Sequence, residues 1–447
     1  MNKSIKKDTV FLTGIQLTMQ CLSMVLNIFI NRMLGTENLG LMSLINAFFV
    51  FAIIISNGNI FVASSRFIAE ETGKKNGDPS RIFCYSMIFA LILSSISGAV
   101  VFASSGPLST ELIKHPECKA SVRMLAFSLT PAAVCSCIKG YFHAYRKVRQ
   151  PAVSEMIEFI IKTAIMFYSA AFPVRTGEMS VFTAIALSII SGESLSLIFL
   201  LICLFRCIKP FTGNKTTGFG GYIRQIIPVT LNSYIPCILS TANDALVPYT
   251  LKRSGCSTSY ALSCYGIFEG VVLPVLFFPS MVLSCLSVIL VPEIARDRTA
   301  GNNLKNISMI SDIIKKTVIF SVITTGALLL FGRPIGYLSG SGEEAGRMIT
   351  ILAPVVPFIY LEIILEAVIK GLGKHSFSSM NYLAEYIIRI SVLLVTVPFA
   401  GFYGVALSYY ASNIVCNFSR MLLISKVYNT KFRPGGFTLL PEKMTKL

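Results

Sequence analysis

Long apolar runs alternate along the chain with short polar stretches, and each run is near the roughly 20 residues a helix needs to cross the hydrocarbon core of a bilayer. The first six are Val10 to Leu34, Leu39 to Ala63, Ile82 to Ser105, Ala120 to Ala144, Ala152 to Phe172 and Met179 to Phe205. The second six are Tyr222 to Thr250, Thr258 to Val291, Asp312 to Gly332, Gly346 to Ile369, Phe377 to Ala400 and Phe402 to Val427. The seventh and eighth are overlong and contain Pro228, Pro236 and Pro248, and Pro274, Pro279 and Pro292. Proline in a spanning helix frees backbone groups and bends it, so both are expected to be kinked. The pattern predicts an all-α polytopic membrane protein with twelve transmembrane helices in two six-helix lobes. These are residues 1–208 and 222–428, joined by a cytoplasmic linker, 209–221, and followed by a cytoplasmic tail, 429–447.

A repeat supports the division. Lys139 to Pro173 reads KGYFHAYRKVRQPAVSEMIEFIIKTAIMFYSAAFP, and a shortened copy, KGLGKHSFSSMNYLAEYIIRISVLLVTVP, runs from Lys370 to Pro398. In both, Lys-Gly closes one apolar run, a basic loop follows, and the next run carries an acid and a base four residues apart. These are Glu158 with Lys162, and Glu385 with Arg389. Residues at i and i+4 share a helix face, so each pair can neutralise itself where a lone charge is expensive. The sixth and twelfth runs also share Ala-Leu-Ser, at Ala186 to Ser188 and Ala406 to Ser408. Two halves of six spans that start on the same side form a parallel repeat, the kind related by an axis along the membrane normal.

Composition fixes the class. Of 447 residues, 53% are hydrophobic and 14% charged, with a mean hydropathy of +0.69, against about 25% charged in an ordinary soluble domain. The net charge of +17 would point to nucleic acid in a soluble protein, but these bases sit in short loops, where they orient a membrane protein. Nucleic acid is excluded as a partner. With the N-terminus inside, 26 Lys and Arg fall on the inner side and 8 on the outer. That bias places both termini in the cytoplasm and the Lys114 loop outside. Of twelve cysteines, only Cys118 and Cys256 fall in outer loops, and the chain shows neither a disulfide framework nor metal-binding CxxC spacing. The first run is too long for a signal peptide, and no small-residue cleavage site precedes Asn31-Arg32, so it reads as a retained helix.

Charges inside the apolar runs are the candidates for function. Glu158/Lys162 and Glu385/Arg389 lie roughly 10 to 18 Å from the cytoplasmic ends of their helices, at about 1.5 Å per residue. Two roles are open: lining a cavity where the bases meet an anionic pyrophosphate, or locking helix register as self-neutralised pairs. Arg32, Arg66, Lys139 and Lys370 sit at run ends, where long basic side chains snorkel to the interface or form a phosphate-attracting rim. Glu193, Glu269 and Glu362 have no base four residues away. Three readings are open for them: coupling to an H+ or Na+ gradient, a basic partner on another helix, or the lining of a water-filled space. Asp244, with Asn232 and Asn243, belongs to the outer part of the seventh run. An enzyme is excluded on motifs: His115, His143 and His375 lie in or beside loops, and HExxH, GxSxG and a phosphate-cradling Gly-rich loop are absent. No cofactor and no metal site are expected.

Three stretches carry a family resemblance: NRMLGTENLGLMSLINAFF from Asn31, SSRFIAEETGKKNGD from Ser64, and TPAAVCSCIKGYFHAYRKVRQPAVSEMIE from Thr130. Together they resemble the branch of the multidrug/oligosaccharidyl-lipid/polysaccharide exporter superfamily that contains stage V sporulation protein B. Polysaccharide flippases and the lipid II flippase are relatives of that branch. The resemblance implies two six-helix lobes in a V shape, alternating access, and a lipid-linked or amphiphilic solute moved outward by a monomeric unit in a bacterial plasma membrane. The chain departs from the family pattern at His143-Ala144 and at Glu155 and Phe159, where the resemblance leads one to expect Gln-Gly and glutamines. It also stops after twelve spans where several relatives carry fourteen. The drug exporters of the superfamily carry an acid inside the first helix, whereas Thr9 to Leu34 has none.

Overall fold

The computed structural model describes residues 3–72, 77–112, 119–174, 176, 179–207, 218–299, 303–428, 430–432 and 439–441. Its helices begin with α1 (Lys3–Leu34), α2 (Thr36–Asn57), α3 (Ile60–Thr72), α4 (Pro79–Ala103), the single turn α5 (Ser105–Pro107), α6 (Lys119–Ala144), α7 (Arg149–Ala171) and α8 (Val181–Phe205). They continue with α9 (Phe219–Arg253), α10 (Thr258–Ile267), α11 (Leu273–Phe277), α12 (Met281–Thr299), α13 (Asn303–Leu338), α14 (Gly342–Leu352), α15 (Val356–Gly371), α16 (His375–Ala400) and α17 (Phe402–Tyr428). After α17, β1 (Thr430–Phe432) pairs antiparallel with β2 (Leu439–Pro441). Most of the expected linker, residues 209–217, lies outside the described residues, as do the Lys114 loop and Cys118.

Among the described residues, nine helical stretches are long and apolar enough to cross a membrane. Each matches an expected run. The fifth, seventh and twelfth runs also form long helices, α7, α9 and α17, but their charged and polar residues keep them out of that group. Large apolar side chains such as Phe205, Leu330 and Phe399 point outward, as surfaces in contact with hydrocarbon must. The chain is a multi-pass membrane protein.

Local chemistry explains the helix ends. The Asp78 carboxylate accepts from the Arg81 backbone N–H with Pro79 in the first turn of α4, and Ser180 and Ser257 cap α8 and α10 in the same way. Such caps satisfy N–H groups that have no partner within the helix. The second run breaks between α2 and α3, where Gly58 and Asn59 both take positive φ, 52° and 56°. The eighth is interrupted by a π-turn over Phe268–Val272 and again between α11 and α12. By contrast α9 runs unbroken through its three prolines.

Two compact units divide the chain, Met1–Thr241 and Ala242–Leu447. The first part of α9 belongs to unit 1, where Tyr234 Oη donates to Ile55 O at 2.7 Å and Thr230 Oγ1 to Gly58 O at 2.8 Å. Unit 1 has its core where α3, α4, α6, α8 and the start of α9 meet, around Ile60, Phe83, Ile138, Leu200 and Tyr222. In unit 2, α15 is buried along most of its length, and Tyr360 Oη donates to Leu276 O at 2.9 Å.

The repeat is visible in the backbone. Lys147 N–H bonds to Phe142 O at 2.9 Å and Arg146 N–H to His143 O at 2.9 Å; Lys374 N–H bonds to Ile369 O at 3.1 Å and Gly373 N–H to Lys370 O at 2.9 Å. Both are the paired bonds of a Schellman helix end, and both place a positive-φ residue, Arg146 and Gly373, at the same point. This register also equates Glu158 with Glu385 and Lys162 with Arg389. It does not equate Lys139 with Lys370. Lys370 falls at the place of His143, one helical turn nearer the loop, and Lys139 falls at the place of Glu366. The Lys-Gly landmark therefore misaligns the ends of the fourth and tenth runs by a turn.

Candidate functional site

In unit 1 an alternating ladder of acids and bases crosses three helices. Lys139 on α6 lies 3.6 Å from both Glu155 and Glu158 on α7. Lys162, one turn along α7, donates to Glu158 Oε1 at 2.5 Å and reaches Glu193 Oε1 on α8 at 3.4 Å. Burial increases from Glu155, 49% exposed, to Glu193, 7% exposed. Gly192 makes the closeness possible: a Cβ there would lie 2.6 Å from Lys162 Cγ and 2.9 Å from Glu158 O. Gly140, beside Lys139, similarly admits Ser64 and the carbonyl of Phe61 from α3.

Unit 2 builds its network around a base that the i,i+4 search does not find. Arg420 on α17 is 1% exposed and sits 3.0 Å from Glu362, 3.5 Å from Glu385 and 3.6 Å from Glu366. Its own helix supplies no acid within one turn, so only the three-dimensional packing of α15, α16 and α17 reveals its partners. Its mid-run position was the one available signal. Arg389 donates to Glu385 Oε1 at 2.6 Å and to Ser412 Oγ at 3.2 Å, and its guanidinium lies 4.1 Å from the centre of the Tyr409 ring. Glu366 is held by Lys370 at 3.3 Å and also accepts from Ser378.

The expected pairs Glu158/Lys162 and Glu385/Arg389 both form, and the expected snorkelling of Lys139 does not: it turns inward and is 14% exposed, whereas Lys370 is 49% exposed. Arg66 lies at the surface in an exposed pair with Glu70. Of the readings open for Glu193 and Glu362, the structure supplies the basic partner. Their bases, Lys162 and Arg420, come from neighbouring helices, which a search within one helix cannot see. Glu269 alone of the three has no ion pair among the described residues. It sits in the π-turn of the eighth run, with Asp244 and Arg389 as its charged neighbours. Asp244 is half-buried and accepts from Asn243 Nδ2 at 3.2 Å; the Asn232 side chain lies outside the described residues.

Helical rods with an apolar exterior, each half holding its own charge network, define a polytopic membrane protein. Residues 5–296 match the model of the polysaccharide biosynthesis protein family, and the chain belongs to that family. It is 22% identical over 440 residues to stage V sporulation protein B of Bacillus subtilis, covering 94% of this chain and 83% of that one. Among solved structures, an inward-facing multidrug resistance MATE family transporter of the MOP superfamily superposes with a TM-score of 0.72 at 15% identity, covering 92% of this chain and 94% of that one. The lipid II flippase MurJ in an inward closed conformation gives a TM-score of 0.72 at 12% identity, covering 93% and 87%. The expected superfamily resemblance and helical fold are thus met.

Proposed function

We propose that the chain is a flippase that moves a lipid-linked oligosaccharide or cell-envelope precursor from the cytoplasmic to the outer leaflet by alternating access. All twelve runs span in this reading, in lobes of residues 1–208 and 222–428, with both termini in the cytoplasm of a bacterial cell and a single chain as the transport unit. Membership of the polysaccharide biosynthesis family carries the proposal. The relatedness to a sporulation protein and the fold shared with a lipid II flippase support it. Lys139, Lys162, Lys370 and Arg389 are the bases that meet an anionic headgroup in this reading, with the carboxylates paired to them offsetting part of their pull. Glu193, Glu269 and Glu362 serve coupling in this reading. The rival, a cation-coupled exporter of small molecules, draws on the shared MATE fold, but α1 carries no acid between Thr9 and Leu34.

Lipid extraction from a deletion strain tests the reading. A glycolipid intermediate stranded on the cytoplasmic leaflet is expected, restored by the wild-type gene. Combined Gln replacements at Glu158, Lys162, Glu193, Glu385 and Arg389 remove the charges without leaving Glu193 buried beside a missing base, and that variant should fold but fail to restore distribution. Normal lipid distribution in the deletion strain, together with altered drug susceptibility on overexpression, would favour the exporter instead.

A further inference from the structure

In an unbroken helix each carbonyl accepts from the N–H four residues further on. Through the second run that pairing would give Ile55 O the N–H of Asn59, and Gly58 O the N–H of Val62. Neither bond forms. α2 ends on a bond from the Gly58 N–H to Ile54 O at 3.1 Å, and the Val62 N–H turns instead to Asn59 O at 3.1 Å. Both places are filled from α9: Tyr234 Oη donates to Ile55 O at 2.7 Å and Thr230 Oγ1 to Gly58 O at 2.8 Å. The two hydroxyls stand four residues apart and therefore share one face of α9.

The break is enclosed by its neighbours. Leu93 of α4 and Thr230 close over Gly58, where a Cβ would lie 2.6 Å from Leu93 Cδ2, and Asn57 Nδ2 donates to Ser136 Oγ on α6 at 3.0 Å. A bare carbonyl is costly where water is excluded, so α9 cannot withdraw its hydroxyls and leave the break as it is. Closing the run into one helix supplies both carbonyls from its own backbone. It also releases Asn59 from a φ of 56°, a conformation that L-residues seldom adopt. The N–H groups of Asn59, Ile60 and Phe61 make no backbone hydrogen bond among the described residues, and closure pairs those as well. The two carbonyls are satisfied from α9 or from within the run, and an intermediate arrangement leaves them bare.

We propose that the second run is a two-state element set by α9: broken at Gly58 and Asn59 while Thr230 and Tyr234 hold its carbonyls, and one continuous helix when they let go. α9 runs on past Thr241 into unit 2, so the latch sits on a helix that both units share. The broken state also directs α3 against α6. Ser64 and the carbonyl of Phe61 pack on Gly140, next to Lys139, and the Phe61 ring lies edge-on to His143 with centres 4.9 Å apart. Closing the run redirects α3 and loosens that face of α6. The switch adds a moving part to the alternating access proposed above, and its test uses no substrate, so the failure of either leaves the other standing.

Thr230→Val and Tyr234→Phe remove the hydroxyls with little change of shape. Gly58→Ala acts from the other side, because a Cβ disfavours the φ of 52° at this position and favours helix. Hydrogen exchange of the full chain in lipid nanodiscs, read on peptides covering residues 56–63, gives the sign. Closure predicts that the amides of Asn59, Ile60 and Phe61 exchange about fivefold slower or more in the Thr230→Val/Tyr234→Phe chain and in Gly58→Ala, the factor one net hydrogen bond gives. Hydroxyls that only brace a fixed kink predict the opposite, faster exchange once they are removed. Spin labels at Asn46→Cys and Ala69→Cys, both exposed positions, read the geometry in a chain whose native cysteines are replaced. Their separation should lengthen in both variants toward the roughly 35 Å that a continuous helix gives over that length. Exchange is measured with the native cysteines in place, so it decides the matter even where the labelled chain does not fold. Exchange that is unchanged or faster, or a separation that stays at its wild-type value, overturns the switch.

Discussion

Arg420 is enclosed by three carboxylates and is almost fully removed from solvent. Replacing it by Met keeps much of the volume and abandons Glu362, Glu366 and Glu385 together. Breaking a buried pair from one side costs about 3–5 kcal/mol in soluble proteins, so Arg420→Met should lower the unfolding free energy by that order. Lys316→Ala removes a base from an exposed pair with Asp312, and such pairs are worth at most about 1 kcal/mol. Denaturant titrations of both variants in one detergent check the contrast; equal losses would mean the Arg420 network contributes no more than a surface pair. At this scale the sequence was readable where both partners lie on one helix, as for Glu158/Lys162 and Glu385/Arg389. It was unreadable where partners come from different helices. Spacing encodes a helix face but not which helix that face meets, so the partners of Arg420, Glu193 and Glu362 are invisible in the sequence.

At the scale of elements, α7 and α8 approach closely because Gly192 has no side chain. A methyl group there would meet the Glu158 carbonyl at 2.9 Å, and backbone cannot swing aside as a flexible side chain can. Overpacking of this kind costs about 1–3 kcal/mol, and the same shift would pull Lys162 away from Glu193. Gly326, inside α13 with nothing within 4 Å of its Cβ position, supplies the opposite case, where Ala should stabilise by about 0.5–1 kcal/mol through helix propensity alone. Thermal midpoints should therefore fall for Gly192→Ala and hold or rise for Gly326→Ala, and a fall in both would remove the close-approach explanation. The order of the long helices was legible from the apolar runs because each run must pair its own backbone groups. The interruptions were less so. Three prolines leave α9 continuous, whereas the π-turn at Phe268–Val272 begins ahead of the first proline of its run.

For the molecule as a whole, the distribution of Lys and Arg is the one property that distinguishes the two membrane faces. An inner count of 26 against an outer count of 8 predicts that the loop between α9 and α10 is extracellular. The turns between α6 and α7 and between α15 and α16 should then be cytoplasmic. Arg253, Lys147 and Lys374 are all exposed in these positions, so a cysteine at each would meet solvent without disturbing the core. The two inner turns share the same helix-ending hydrogen bonds, and a parallel repeat requires them to lie on the same side. A membrane-impermeant maleimide added to sealed cells should label Arg253→Cys and spare Lys147→Cys and Lys374→Cys until the membrane is permeabilised. Labelling of both inner positions in sealed cells would invert the whole protein. Labelling of one alone would break the parallel repeat, and with it the reading of the Glu158/Lys162 and Glu385/Arg389 pairs as counterparts entered from one side.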